Sequence, residues 1–288
     1  MLKVILYTIF ISLTGIIAFF IYLNYLLHRS FNIYHIHCEK TPEDYGLKYA
    51  GKLIPALHGK KIELWDLNPG FPGPVIIGLH GWEIAADSLL PLAATLQEHW
   101  RILLINARNH GQSDDEKYST IVNYAEDVES TIRYIRKNIS KTEPIALVGH
   151  SLGGAASIYT ASRSSDVSAV VSISAFAEQE DIMKAAFVSG NMPSWFISSM
   201  LAYIEFRLGE KMEKLSPGYL INCFDKPVLL VHGTKDEVIH FSNLDRMTAS
   251  VKRSNVEKFV MENETHSSLL LQSVLAERIN NFFMSYLK

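Results

Sequence analysis

Cysteine is scarce. Cys38 and Cys223 are the only two in 288 residues, too few and too far apart for a disulfide framework or a zinc site, so both read as idle thiols. A charge excess is missing too: 27 Lys and Arg stand against 30 Asp and Glu, a formal net charge of -3, which excludes a basic footprint for nucleic acid and an acidic tail. Neither an internal repeat nor a low-complexity tract occurs, so nothing points to a repeat architecture or a disordered segment. What is abundant is apolar. Hydrophobic residues make up 48% of the chain against 20% charged, enough for a large core and one domain of about 240 residues once the N-terminus is set aside.

The N-terminus holds the longest apolar run. Val4 to Leu27 contains no charge and is rich in Ile, Leu and Phe, and a helix of that length spans about 36 Å, more than the roughly 30 Å hydrocarbon core of a bilayer. Residues 4–27 are therefore expected as a transmembrane anchor, single-pass, with Tyr22, Tyr25, Phe31 and Tyr34 near one interface. A cleaved signal peptide is the competing reading, but the run exceeds the roughly 7–15 residues of a signal core and no small-x-small site follows it. Lys3 on one side against Arg29 and Lys40 on the other assigns no orientation. Residues 28–44, with His28, His35 and His37 and then Thr41-Pro42, read as a juxtamembrane connector. His35-x-His37 has no further ligands nearby, so a solvated stem is expected there and not a metal site.

A folded domain is expected over residues 45–288. Lys61 to Leu67 alternates as a half-buried strand, and a turn-rich stretch from Asn68 to Pro74 follows. Short runs rich in β-branched residues, Val75–Leu79, Ile102–Ile105, Ile145–Val148, Ala169–Ile173, Val228–Val231 and Val256–Met261, read as strands. Between them Ser88–Gln97, Ile121–Asn138, Leu152–Ser162, Ser242–Ser250 and Ser268–Tyr286 carry apolar residues at helical spacing. That alternation predicts an α/β fold with a mainly parallel, buried sheet and helices on both faces. The rhythm breaks over about 177–226, where helical segments around Ile182–Phe187 and Trp195–Leu208 predict a short helical cap over the strand ends.

The chemistry concentrates in Gly149-His150-Ser151-Leu152-Gly153, which follows an apolar run and precedes a small-residue helical stretch. This G-x-S-x-G pattern is the sequence form of a nucleophile elbow: a serine is a weak nucleophile at neutral pH, so it must be exposed at a tight turn beside a base and an oxyanion hole. Gly149 and Gly153 fall where a Cβ would collide with the neighbouring strand or helix. The order Ser, acid, His on turns after successive strands selects the partners. Asp236, past the strand Val228–Val231, is the candidate acid; Glu178 is the serious rival, while Asp225 precedes the strand and Asp245 lies in an expected helix. His266, after the strand ending at Met261, is the candidate base; His240 is too close to Asp236, and His232 is expected to close its strand. Two backbone N–H groups should form the oxyanion hole, from Leu152 and from Trp82 in Leu79-His80-Gly81-Trp82. The Trp82 indole either lines an acyl pocket or is simply packed, and His80 and His150 are expected under the site as structural residues.

With these motifs the chain resembles the α/β-hydrolase superfamily, in its monoacylglycerol-lipase-like and serine-aminopeptidase-like branch, from about Lys61 to the C-terminus. Asn106-Ala107-Arg108-Asn109-His110-Gly111-Gln112-Ser113-Asp114 is similar to that family's D-x-R-G-H-G-x-S-D segment, with Asn106 in place of Asp and Asn109 in place of Gly. Asn tolerates φ > 0, so the turn is expected to survive. The resemblance implies an α/β-hydrolase fold and a membrane-anchored serine hydrolase that cleaves carboxylic esters, of small-molecule acyl or lipid-like kind, through an acyl-enzyme. It implies Ser151, Asp236 and His266 as the catalytic triad, and neither a metal nor an organic cofactor. Activity is expected to fall as His266 protonates. Two other classes stay open: a peptidase, amidase or thioesterase with the same triad, for which Glu178, Glu180 and Asp181 offer a binding site for a substrate amine, and a catalytically silent membrane-tethered binding protein. Oligomeric state has no signal in the sequence.

Overall fold

The computed structural model describes residues 1–188, 192–249, 251 and 253–287. Nine α-helices are described: α1 (Leu2–Phe31), α2 (Leu90–Leu96), α3 (Ile121–Asn138), α4 (Leu152–Arg163), α5 (Gln179–Val188), α6 (Ser194–Leu208), α7 (Pro217–Leu220), α8 (Ser242–Thr248) and α9 (Ser273–Tyr286). The strands are β1 (Tyr49–Pro55), β2 (Lys61–Leu67), β3 (Val75–Leu79), β4 (Arg101–Asn106), β5 (Ile145–His150), β6 (Val167–Ile173), β7 (Val228–Gly233) and β8 (Val256–Met261). They form one sheet in the order β1-β2-β4-β3-β5-β6-β7-β8. β1, β2 and β4 are joined antiparallel, and every pairing from β4 through β3 to β8 is parallel.

Successive strand residues point to opposite faces, and the core divides accordingly. Val75, Ile77 and Leu79 of β3 belong to the apolar cluster on the side of α3, α4 and α8, whereas Ile76 belongs to the one on the side of α2 and α9. Ile145 and Leu147 of β5 join the first cluster, Ala146 and Val148 the second. Burial on both faces is why these strands read as unbroken apolar runs. The expected α/β architecture, with helices on both faces of a mainly parallel sheet, is what the chain adopts.

Several local expectations change. β1 had no alternating signal; it pairs antiparallel with β2 across a turn in which His58 and Gly59 take φ of 56 and 72. The expected helix Ser88–Gln97 is a 3-10 turn over Ala86–Leu89 followed by α2, and Ser268–Tyr286 divides at the extended Gln272 into a 3-10 turn over Ser268–Leu271 and α9. The helix expected over Ser242–Ser250 is α8, and Ser250 lies outside the described residues, as do 189–191 of the interval 177–226 and Lys288. In that interval the described residues form α5, α6, a 3-10 turn over Met212–Leu215 and α7, with no strand among them.

The connector is not the solvated stem expected. Ile36 forms a β-bridge with His110, His35 donates to the Gly111 carbonyl (2.7 Å) and pairs with Asp115 (2.6 Å), and the Glu39 N–H donates to Asp87 (2.8 Å). Unsatisfied backbone groups in a polar segment find partners on the adjacent turn, which a reading of polarity alone misses. α1 meets the domain at its C-terminal end: Leu23 and Leu26 are buried in a third apolar cluster with Phe187, Phe196, Met200 and Ile204.

Candidate active site

β5 delivers Ser151 to the C-terminal edge of the sheet. Ser151 takes φ 54 and ψ -117, a strained conformation for a residue with a Cβ, and stands at the N-cap of α4. The surrounding glycines explain how the turn closes. A Cβ on Gly149 would lie 2.1 Å from the Gly153 oxygen, and one on Gly153 would lie 2.3 Å from the carbonyl oxygen of Leu79. The serine N–H is tied to the Ile173 carbonyl at 2.8 Å, which locks the turn to β6.

Asp236 and His266 follow β7 and β8 and meet at the same edge. The His266 Nδ1–H donates to Asp236 Oδ2 at 2.8 Å, which leaves Nε2 as the ring's acceptor. Asp236 is buried, and its other oxygen accepts from the N–H groups of Val238 (3.0 Å) and Ile239 (2.8 Å). Burial opposes its ionisation, but the hydrogen bonds from His232, His266 and the Ile239 N–H outweigh that and hold the carboxyl below the usual carboxylate range. His150 Nε2–H donates to the His266 carbonyl at 2.7 Å, fixing the loop that carries it.

Ser151, Leu152, Trp82 and His266 line one cavity of about 410 Å³, with Gly81, Ile182, Met183 and Phe31 also in its wall. Among the described residues Ser151 Oγ and His266 share this wall without a hydrogen bond between them, a separation common before substrate binds. The Leu152 N–H belongs to the first turn of α4, where backbone donors have no intrahelical acceptor. The Trp82 N–H is oriented from beneath: the Gly81 carbonyl accepts from His80 Nδ1 (2.7 Å) and Tyr124 OH (3.1 Å), and across a trans peptide the next N–H points the opposite way. His80 accepts in turn from the Ala107 N–H at 3.1 Å. Trp82 is 37% exposed, so its indole borders the cavity and is not packed in the core.

Glu178, Asp225 and Asp245, the rival acids, do not contact His266; Asp225 and Asp245 pair with Arg253 and Lys258. Two contributions had no signal in the sequence. His232 closes β7 as expected, yet its Nε2 also lies 3.2 Å from Asp236 Oδ2. Tyr124, forty-three residues beyond Gly81, reaches it only because α3 packs under β3. The variant segment Asn106 to Asp114 also finds its reason. Asn106 donates to the buried carboxylate of Glu63 (2.8 Å) and accepts from the Ala86 N–H (2.8 Å), a place where a second carboxylate would face Glu63. Asn109 takes φ 72 and accepts from the Glu116 N–H.

Residues 67–199 match the family model described as the alpha/beta hydrolase fold. A Bacillus subtilis protein carried as uncharacterized is 25% identical over 223 residues, covering 75% of this chain and 72% of that protein. A pimeloyl-[acyl-carrier protein] methyl ester esterase of Xanthomonas oryzae is 26% identical over 103 residues, 36% of this chain and 37% of that enzyme. The structure of a Pyrococcus furiosus esterase superposes with a TM-score of 0.71 at 19% identity, covering 90% of this chain and 98% of that one. The architecture is thus the α/β-hydrolase fold.

Proposed function

We propose that the chain is a membrane-anchored serine hydrolase that cleaves carboxylic esters of acyl or lipid-like substrates through an acyl-enzyme, in the monoacylglycerol-lipase-like branch of the superfamily. The observation that carries this reading is the Asp236–His266 hydrogen bond placed in the wall of the cavity that Ser151 lines. Ser151 Oγ attacks the ester carbonyl as His266 Nε2 takes its proton, the Leu152 and Trp82 N–H groups hold the oxyanion, and the proton passes to the leaving alcohol. Water then repeats the attack, and His266 returns the proton to Ser151. Asp236 holds the ring in the tautomer that both halves need.

An aminopeptidase reading gains less support. Glu180 pairs with Lys184 (2.7 Å) and Asp181 with Arg246 (2.6 Å), and neither lines the cavity, whose wall is mostly apolar around the exposed Glu83 at its mouth. The anchor reading draws on α1, whose stretch from Leu2 to Arg29 is apolar enough to cross a membrane. Its burial of Leu23 and Leu26 against α5 and α6 favours a retained helix over a cleaved signal. In the same reading α5 and α6 act as the cap, since α5 supplies Gln179, Ile182 and Met183 to the cavity wall.

A fluorophosphonate probe tests the assignment. The full-length protein is expected to label at one serine, and Ser151→Ala to lose the label together with ester hydrolysis. Undiminished labelling of the variant overturns the reading.

A further inference from the structure

Phe31, Ser119, Gln179 and Met183 border two cavities at once. One is the cavity of Ser151. The other, about 180 Å³, is walled by Leu27 of α1, Val122 of α3, Ile204 and Leu208 of α6, and Leu215, and almost its whole lining is carbon. A mostly apolar chamber of this kind offers water few partners and is filled at little cost by hydrocarbon. Its position is unusual. Of the two α1 residues in its wall, Leu27 lies in the last turns of the apolar stretch Leu2–Arg29 and Phe31 just beyond it. Arg207, also in its wall, is held by the Asn24 Oδ1 (2.8 Å) and Tyr203 OH (3.1 Å), and Trp195 and Phe206 of α6 stand 65% and 79% exposed. Arginine and aromatic side chains at the end of an apolar helix mark the headgroup level of a bilayer.

We propose that this second chamber is an acyl-chain subsite, entered laterally from lipid between α1 and α6, with Phe31 and Met183 forming the partition across which the ester group reaches Ser151. The proposal rests on the serine-hydrolase reading above. It makes α1 a wall of the binding site as well as an anchor. Chain length is read by how many methylenes the chamber accepts: relative to an ester in water, each one buried there is worth about fourfold in kcat/KM.

The test uses full-length protein in phosphatidylcholine vesicles with p-nitrophenyl butyrate and dodecanoate. Wild type is expected to favour dodecanoate. Ile204→Trp, which fills the chamber, and Leu208→Trp, at its exposed lip, are each expected to lower the dodecanoate-to-butyrate ratio of kcat/KM at least tenfold. A ratio within twofold of wild type in both variants overturns the subsite, and so does a wild type indifferent to chain length. The lip position tolerates a large side chain, so the test survives if Ile204→Trp fails to fold. Labelling of Ser151 by an ethyl fluorophosphonate is followed in parallel: its absence from wild type overturns the serine reading, whereas a labelled protein with an unmoved ratio overturns the subsite alone.

Discussion

Ser151 has φ 54 because Gly149, Gly153 and the bond to Ile173 leave the chain no other path, and Asp236 is ionised because four donors surround a buried carboxylate. Asp236→Asn is expected to keep the fold but reverse the hydrogen-bond demand on His266 Nδ1, lowering kcat by about 10⁴-fold, measured by ester hydrolysis alongside an unchanged circular dichroism spectrum. A loss under tenfold would remove Asp236 from the mechanism. Asn106 makes a second prediction. Asn106→Asp sets a carboxylate against buried Glu63 with no donor between them, which costs about 3 kcal/mol and lowers Tm by roughly 10 °C at pH 7. An unchanged melting curve contradicts that account. That Ser151, Asp236 and His266 meet at one sheet edge was legible in the chain, because each lies in the loop or turn that follows a strand. The roles of His232 and Tyr124 could not, because their partners are set by how β7 turns and how α3 packs.

The elbow is the element on which the site depends. Gly153→Ala would force a Cβ against the Leu79 and His80 carbonyl oxygens, 2.3 and 2.4 Å away, and backbone cannot move there without parting β3 from β5. The variant is expected to lose more than about 4 kcal/mol and to melt more than about 10 °C lower by circular dichroism; a Tm within 2 °C of wild type would show that the approach relaxes freely. Elements buried on both faces, such as β3 and β5, were legible from their apolar runs. β1 was not, because Gly51, Lys52 and Pro55 break any alternation and the strand exists by pairing with β2. Nor was the break at Gln272, since the apolar spacing of Leu269 and Leu270 runs on into α9.

Across the whole molecule, three buried histidines tie stability to pH. Burial pushes His110 and His150 down to about 4, the latter helped by the neighbouring His266, and holds His80 well below its ordinary value. The unfolded chain binds protons at these positions near pH 6.5 and the folded chain does not. Their contribution is therefore full above that value and is lost as pH falls towards 4, at about 1.4 kcal/mol per histidine per pH unit. Tm is expected to drop steeply between pH 6.5 and 4.5; a flat Tm over that window would mean that the three rings protonate freely in the fold. The sequence by itself determined the fold class, the helix apolar enough to cross a membrane, and the order of serine, acid and histidine along the chain, because apolar periodicity and strand-end turns are local properties. Tertiary structure alone decided that the connector is strapped to the domain, that Gly81 is pinned from below by His80 and Tyr124, and that the end of α1 helps wall two cavities. Each of those depends on groups far apart in the chain coming within hydrogen-bond or van der Waals distance, and no spacing of residues encodes that separation.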